Sequence, residues 1–338
     1  MQRNNILFKV DCDSGEYAGT GHLSRMLLIY NFIKKKYKSQ YKHYFLIRNL
    51  KNSKKILRNK VSEKIFIYDS NFKKNLSFLC DRDIIINDTP NGIDKFFFDF
   101  CEGKKIKNII SFDDLGNYSQ ENFTVINGIA FFKKKIISKK NNKIFQGPEY
   151  ILLNQQFLQK RKVKRNRNSL KVLVCSGGAD YKNILYKISK FLSYFHNIKI
   201  YVVIGSAVKN NNPIRKLNKK NIYFIKNKNN LKKYFDTADF SIVTGGITMF
   251  ESLATNTMTL VYQSYFHQSY AIDHLKKANK VICVGKNKLL YKHKIKNIIT
   301  KLIKNKTNNI LKNNNYIDAK GFMRIEKIIS NILKNNLT

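Results

Sequence analysis

Short apolar runs alternate with amphipathic stretches along the first half of the chain. The run from Ile6 to Val10 predicts a strand, and apolar residues at helical spacing between His22 and Lys36 predict the helix that follows it. Strands that alternate with helices indicate a parallel sheet covered on both faces. Further strands of this half are predicted at Tyr44 to Ile47, Ile65 to Tyr68, Ile84 to Ile86, Asn108 to Phe112 and Phe123 to Ile126.

A polar, strongly basic segment from Gln159 to Ser169 interrupts this pattern, and we interpret it as a linker, with a phosphate-binding patch as the alternative. The alternation then restarts, so the sequence predicts two Rossmann-like α/β domains, residues 1–158 and 170–338, whose parallel sheets face a central cleft. Strands of the second domain are predicted at Lys171 to Cys175, Ile198 to Ile204, Ile222 to Ile225, Phe240 to Val243, Met258 to Tyr262 and Val281 to Val284, and helices at Tyr181 to Tyr194, Thr248 to Ala254 and Ile317 to Leu337.

The length of the chain bears on the number of domains, and its charge bears on the kind of partner. A chain of 338 residues exceeds what one core usually supports, which agrees with two domains. The formal net charge of +42 suggests a polyanionic partner, such as nucleic acid, an anionic membrane or a phosphorylated substrate. Lysines are, however, mixed with asparagines along much of the chain, as in residues 139–143, which indicates a compositional bias. We therefore expect no specific nucleic-acid partner.

The cysteines and the apolar runs bear on location. None of the five cysteines forms a C-x-x-C pair, which favours a reducing compartment and argues against zinc. No uninterrupted apolar run reaches the roughly 18 residues of a membrane span, and the N-terminus enters a strand without a signal peptide. We expect a cytoplasmic monomer, with loose contact to an anionic membrane face left open.

The first candidate cluster follows the first predicted strand. Gly19 and Gly21 expose backbone N–H groups at the start of a helix, where a negative charge is favoured. His22 follows at once, and an imidazole takes a proton from water or a hydroxyl near neutral pH. In the alternative interpretation, the glycines only form a strand-to-helix turn and His22 caps the helix.

Charged residues accompany His22. Arg25 lies three residues on, on the same side of the helix, where it is placed to hold Asp11, Asp13 or a phosphate. Asp13 is also a candidate for binding substrate. Asp88 ends a predicted strand and is a candidate for binding sugar hydroxyls, although a plain turn is the alternative. Asp113-Asp114 ends another strand, so one carboxylate is placed to face the cleft, and Asp113 is a candidate for binding substrate. Because no second acidic pair at metal-like spacing accompanies this one, we predict no metal.

Glycines also follow the first strand of the second domain. In the sequence Ser176-Gly177-Gly178-Ala179-Asp180, a strand runs into two glycines and then a helix, which is a geometry that cradles phosphates. A sharp turn is the alternative. The lysine of a P-loop is missing, so this motif is not that of a P-loop NTPase.

A third glycine pair, Gly245-Gly246, stands where a strand ends and a helix begins. Thr248 can bond a phosphate oxygen, and Glu251 can accept hydrogen bonds from ribose hydroxyls. Thr248 and Glu251 also fit a capping box, which does not exclude the binding role. Gln268 follows the next strand and is placed to reach the cleft.

These motifs, in this order, resemble a known group of proteins. The chain resembles the UDP-2,4-diacetamido-2,4,6-trideoxy-β-L-altropyranose hydrolase of pseudaminic acid synthesis and the wider group of spore-coat polysaccharide proteins. Both are similar to the glycosyltransferase that adds N-acetylglucosamine to the lipid-linked peptidoglycan precursor. The matching segments are residues 19–25, Ser111-Phe112-Asp113-Asp114, Gly147-Pro148-Glu149-Tyr150 with Leu153 and Phe157, residues 176–180, residues 245–251, and His267-Gln268, where relatives often have Asn-Gln.

The resemblance implies a GT-B architecture that needs no metal or cofactor. It implies that UDP lies mainly on the second domain, against the Gly177 and Gly245 turns, with Glu251 on the ribose. It also implies that His22 is the catalytic base, which activates water for attack on the anomeric carbon so that UDP leaves with inversion. The chain departs from the hydrolase at residues 87–92, where relatives have Asp-His-Tyr-Gly, and this departure leaves the sugar open.

Three functions follow from the sequence. The first is a nucleotide-sugar hydrolase that releases UDP from a 6-deoxy-diamino sugar in nonulosonic acid or surface polysaccharide synthesis. The second is a glycosyltransferase that uses the same UDP site and a sugar or lipid acceptor. The third is a non-catalytic binder of RNA or an anionic surface, for which steep salt dependence would be the sign.

Overall fold

The computed structural model describes residues 3–11, 21–48, 53–89, 92–114, 123–136, 143–159, 169–178, 180, 183–205, 208–225, 231–304 and 316–337. Contacts divide the chain into two compact units. Unit 1 comprises Met1–Asn154 and Lys320–Thr338, and unit 2 comprises Gln155–Ala319.

Unit 1 contains a seven-stranded parallel sheet in the order β3-β2-β1-β4-β5-β6-β7. The order reverses between β1 and β4, which pair in parallel with Val10 opposite Asp88. Ligands of such sheets bind beyond the carboxyl ends of the strands at this reversal. The strands are β1 (Asn4–Val10), β2 (Tyr41–Arg48), β3 (Lys64–Tyr68), β4 (Ile84–Asp88), β5 (Asn108–Phe112), β6 (Phe123–Asn127) and β7 (Lys143–Gln146).

Both faces of this sheet are covered. Alternate residues of β1 point to opposite faces, so Ile6 and Phe8 belong to one buried core while Leu7 belongs to the other. Helix α1 contributes Met26 and Ile33 to the first core, and α4 contributes residues of the second. The helices here are α1 (Gly21–Tyr37), α2 (Ser53–Arg58), α3 (Phe72–Asn75) and α4 (Lys95–Gly103).

Unit 2 repeats the plan with a sheet in the order β10-β9-β8-β11-β12-β13-β14. All strands pair in parallel except β14, which is antiparallel to β13. The order reverses between β8 and β11. The strands are β8 (Leu170–Cys175), β9 (Ile198–Val203), β10 (Ile222–Ile225), β11 (Phe240–Thr244), β12 (Met258–Gln263), β13 (Ile282–Lys286) and β14 (Leu289–Leu290), and the helices are α5 (Ile184–Leu192), α6 (Leu231–Thr237), α7 (Ile247–Ala254), α8 (Ser269–Lys277) and α9 (Lys292–Ile303).

The last helix, α10 (Gly321–Leu337), belongs to unit 1. Its apolar face, which includes Phe322 and Leu333, is buried in the core that α1 also covers. The Tyr41 hydroxyl donates a hydrogen bond to the Leu333 carbonyl oxygen over 2.8 Å. The predicted second domain, residues 170–338, is therefore corrected at this helix, because helical periodicity shows which face is apolar and not which sheet it covers.

The structure confirms the twelve predicted strands, with ends shifted by up to a few residues. Two short strands, β7 and β14, were not predicted, because their residues are only half-buried or exposed and lack an apolar run. Helix α5 begins at Ile184 instead of Tyr181. Most of the predicted linker, residues 160–168, lies outside the described residues, and Gln155–Leu158 group with unit 2. Within the described ranges, no helix has the length and apolar character needed to cross a bilayer.

Candidate functional site

The first candidate cluster lies at the carboxyl edge of the unit 1 sheet. Helix α1 begins at Gly21, so His22 and Arg25 occupy its first turns. Asp88 is the last residue of β4, and Asp113 directly follows β5. These four residues therefore lie at the carboxyl edge beside the reversal of the strand order, which is where sheets of this kind bind ligands.

His22 and Asp88 form a close pair. The His22 Nδ1 atom lies 2.6 Å from Asp88 Oδ1, the Asp88 side chain is fully buried, and about 24% of the His22 side chain is exposed. An ionised carboxylate only accepts hydrogen bonds, so Nδ1 must carry the proton in this contact. The other ring nitrogen, Nε2, is then the one that accepts a proton, as a general base requires.

Arg25 holds the same carboxylate from the other side. Its Nε lies 2.6 Å from Asp88 Oδ2, and its Nη2 lies 2.5 Å from Asp88 Oδ1. Its Nη1 donates to Asp113 Oδ2. Nη2 is also 3.4 Å from His22 Nδ1, but two donors face each other there, so this contact is not a hydrogen bond.

Electrostatics keep this network ionised. Burial alone would raise the pKa of Asp88, but the positive charge of Arg25 and the hydrogen bonds from Arg25 and His22 outweigh it, so the pKa lies below its ordinary value. Burial alone would lower the pKa of Arg25, and the carboxylates of Asp113 and Asp88 more than reverse that effect. Asp88 is thus a permanent acceptor for the imidazole.

Three of these residues have partners within unit 1 that the sequence did not predict. Asp88 was expected on sugar hydroxyls, but His22 and Arg25 occupy both of its oxygens. Arg25 binds Asp88 and Asp113 in place of the expected phosphate or earlier aspartates. Asp113 is likewise engaged within unit 1, since its Oδ1 accepts hydrogen bonds from the backbone N–H groups of Ile129 and Ala130, each over 2.9 Å.

The remaining candidates of unit 1 are placed as follows. Gly21 is exposed and has open space around it, as a ligand-facing glycine requires. Asp13 and Gly19 lie outside the described residues. Asp11 is buried and lies 3.5 Å from the Arg48 Nε atom instead of Arg25. Burial raises the pKa of Asp11 despite the opposing charge of Arg48.

In unit 2, two predicted turns come together across the reversal of the sheet. Gly177 follows β8 and has a φ of +81°, which favours glycine. A Cβ at Gly177 would lie 3.9 Å from Thr248 Oγ1, at the start of α7, so the turns after β8 and β11 are neighbours. Gly178 packs backbone to backbone against Gly205, where a Cβ would overlap the Gly178 carbonyl oxygen. Ser176 and Gly178 are half-buried in this turn.

The two glycines after β11 have different surroundings. Gly245 is buried, and a Cβ there would lie 2.7 Å from Ile272 Cδ1, so this glycine lets α8 pack closely. Gly246 is half-buried with open space around it, and it caps α7 without a side-chain hydrogen bond. The expected capping box from Thr248 to Glu251 does not form, because the helix already begins at Ile247. Gly246 supplies no side-chain acceptor to the first N–H groups of α7, which suits an anion.

Glu251 lies one turn further along α7. Burial raises its pKa to about 7. No hydrogen bond or ion pair to its carboxyl group is found among the residues that the structure describes. A carboxyl group that is desolvated and without a protein partner is a typical feature of a functional site.

Two further candidates of unit 2 are engaged within the protein. Asp180 Oδ1 accepts a hydrogen bond from the Leu185 N–H over 3.0 Å, and Oδ2 accepts one from Asn212 over 2.8 Å. The Gln268 Oε1 atom accepts from the Ser264 N–H over 2.9 Å. These contacts hold the loops beside the glycine turns in place.

Unit 2 also has an open cavity of about 670 Å³ beyond the ends of β12 and β13. It includes Gln263, Lys286 and Tyr291 but none of the residues predicted to bind a nucleotide. Its walls therefore do not define the predicted site, which rests on the glycine turns. In the described ranges, no group of three His, Cys, Asp or Glu side chains is arranged to hold a metal ion.

Comparison with solved structures defines the class of fold. The chain is similar to MurG of Acinetobacter baumannii, with a TM-score of 0.59 at 10% identity over 97% of this chain and 99% of that one. It is equally similar to UGT89C1 of Arabidopsis thaliana in complex with UDP, with a TM-score of 0.59 at 12% identity over 99% of both chains. The chain thus has the two-domain GT-B fold of glycosyltransferase-like proteins, as predicted.

Comparison with curated sequences gives more specific relatives. The chain is 29% identical to the spore coat polysaccharide biosynthesis protein SpsG of Bacillus subtilis over 179 residues, which are 49% of this chain and 53% of that protein. It is 27% identical to an uncharacterized protein of Methanocaldococcus jannaschii over 246 residues, 68% of this chain and 46% of that protein. The chain spans about half the length of these curated relatives. No family model matches it. The similarity to a spore-coat polysaccharide protein confirms the resemblance inferred from the motifs.

Sequence reasoning identified the residues of the His22 network but not their partners. It also missed Gly205, which faces the Gly177-Gly178 turn, and Arg48, which pairs with Asp11. Gly205 follows a strand and Arg48 ends one, and in each case the neighbouring strand of the sheet carries a candidate residue. The position at a strand end is visible in the sequence, but the neighbouring strand is known only from the structure.

Proposed function

We propose that the protein is a nucleotide-sugar hydrolase that releases UDP from a UDP-linked sugar during nonulosonic acid or surface polysaccharide synthesis. The observation that carries the proposal is the His22–Asp88 pair at the carboxyl edge of the unit 1 sheet. Its geometry leaves Nε2 free to take the proton of an attacking water. General-base assistance of this kind contributes roughly 10²–10⁴-fold to a rate.

Unit 2 supplies the second part of the proposal. Gly177, Gly246 and the first N–H groups of α7 would hold the diphosphate, and the Glu251 carboxylate would accept hydrogen bonds from the ribose. Negative charge grows on the diphosphate as the bond to the sugar breaks. N–H dipoles already fixed at the start of a helix stabilise that charge without reorganising, and we assign them the larger share of the rate enhancement.

The comparisons support a substrate that carries UDP, but they do not identify its sugar. UGT89C1 is described in complex with UDP, and SpsG is named for polysaccharide biosynthesis. Both fit a UDP-sugar as substrate for this chain. No two of the described cysteines are joined in a disulfide, which agrees with action in the cytoplasm.

A glycosyltransferase is the second candidate. It is favoured by the fold, because MurG and UGT89C1, which share it, are glycosyltransferase-like proteins. The same base would then deprotonate a hydroxyl of a sugar or lipid acceptor instead of water. The two candidates differ in one observable, namely whether UDP release requires an acceptor.

The experiment is incubation of the purified protein with a panel of UDP- and CMP-sugars, with free sugar and nucleotide followed by NMR. Release of UDP without an acceptor supports hydrolysis, and release only in the presence of an acceptor supports transfer. His22→Ala should abolish turnover while UDP still binds. Turnover that survives this substitution contradicts the assignment of the base.

A further inference from the structure

Asp113 occupies a special position beside the His22 network. It follows β5 directly and adopts a left-handed backbone conformation with a φ of +48°, which aspartate tolerates better than most residues. One carboxylate oxygen receives the N–H groups of Ile129 and Ala130, and the other receives Arg25. The turn at residues 129–132 is thereby linked to Arg25 through a single side chain.

We propose that Asp113 is a positioning residue: through Arg25 it fixes the Asp88 carboxylate, and so keeps the proton of His22 on Nδ1 and Nε2 free. The effect on turnover rests on the proposed function, whereas the effect on the state of the imidazole does not.

Arg25 is the link because its guanidinium is planar and its five N–H donors point in fixed directions. Two donors grip Asp88, and a third is held by Asp113. The Arg25 side chain is only 11% exposed, so water cannot readily replace a lost partner. Without the Asp113 carboxylate, the guanidinium can rotate, and the fixed geometry of Asp88 Oδ1 opposite His22 is lost.

The charges lead to the same conclusion. The two carboxylates and Arg25 together carry a net charge of −1, which balances the positive charge that His22 acquires when it takes a proton. Replacing Asp113 by asparagine removes that balance. With the Asp88 carboxylate no longer fixed opposite Nδ1, the tautomer with the proton on Nε2 should become populated.

The test uses Asp113→Asn with Asp99→Asn as the matched control. Asp99 is an exposed aspartate on α4 in the same unit. The His22 imidazole is followed by ¹⁵N NMR as a function of pH in the wild type and in both variants, and melting curves verify that each is folded. We expect a mixture of the two neutral tautomers of His22 in Asp113→Asn, and the single tautomer with the proton on Nδ1 in the wild type and in the control.

An unchanged tautomer of His22 in folded Asp113→Asn would overturn the inference. If Asp113→Asn does not fold, Arg25→Lys carries the same test, since lysine keeps the charge but loses the planar grip. The NMR readout does not depend on turnover. A wild type that turns over no nucleotide-sugar would therefore refute the proposed function, while the imidazole data would still decide the role of Asp113.

Discussion

The raised pKa of Glu251 makes a prediction about stability. The folded protein holds this proton up to a pH of about 7, whereas the ordinary value for glutamate is 4.5. The folded state therefore binds more protons than the unfolded state between these values. The free energy of unfolding should fall as pH rises through this window and level off above it. Glu251→Gln removes the ionisation and keeps the shape of the side chain.

The magnitude follows from the width of the window. A shift from 4.5 to about 7 corresponds to an upper limit of about 3.5 kcal/mol, at about 1.4 kcal/mol per pK unit. Part of the Glu251 side chain is still reachable by solvent, which reduces the penalty of the ionised form. We expect Glu251→Gln to be more stable than the wild type by about 1–2 kcal/mol at pH 8, and equally stable at pH 4.5.

The assay is calorimetric melting at a series of pH values between 4.5 and 8. For a unit of this size, the expected gain corresponds to a rise in Tm of roughly 2–8 °C at pH 8. Asp273→Asn, an exposed acid on α8 of the same unit, is the matched control and should show no such trend. If the difference in Tm between Glu251→Gln and the wild type stayed constant across the pH range, the reasoning about the desolvated carboxyl group would be refuted.

Three more predictions concern the His22 network of unit 1 and the glycine turns of unit 2. Asp88→Asn should lower kcat by roughly 10²–10⁴-fold in steady-state kinetics and leave the Kd for UDP unchanged in calorimetry. An unaltered kcat would show that Asp88 does not support His22 as the general base. Gly246→Ala should lower the free energy of unfolding by less than about 1 kcal/mol, because there is room for the methyl group. It should nevertheless weaken the binding of UDP at least tenfold. Gly103→Ala, which also has open space but lies on α4, should leave the affinity unchanged. The wild type should bind UDP more tightly than Glu251→Gln, and this difference should become smaller below pH 7, where Glu251 becomes protonated. A ratio of the two Kd values that stays constant with pH would argue against a contact between Glu251 and the ribose.

The fold was largely predictable because parallel sheets have a simple sequence pattern. Buried strands such as β4 (Ile84–Asp88) form continuous apolar runs, and the helices between them show helical spacing. The partner of α10 was not predictable. Its apolar face is visible in the sequence, but the choice of sheet depends on which unit leaves a face uncovered after the other helices have packed.

The site was predictable as a set of residues and not as a set of contacts. Asp88 and Asp113 were both candidates because each stands at the end of a strand. The sequence does not reveal that β4 and β5 are adjacent, or that Arg25 reaches both carboxylates. Asp88 and Asp113, which were expected to touch the substrate, both contact Arg25, and Asp88 also contacts His22. Glu251 differs, because no described side chain competes for its carboxyl group.

The proposed function assigns the removal of a proton to His22 in unit 1 and the binding of UDP to the glycine turns of unit 2. The most direct measurement compares wild type, His22→Ala and Gly246→Ala on the same UDP-sugar, with UDP release followed by NMR and UDP binding by calorimetry. We predict that His22→Ala binds UDP normally and releases none from the sugar, while Gly246→Ala loses affinity for UDP. Release of UDP by His22→Ala at the wild-type rate, or wild-type affinity in Gly246→Ala, would contradict the account.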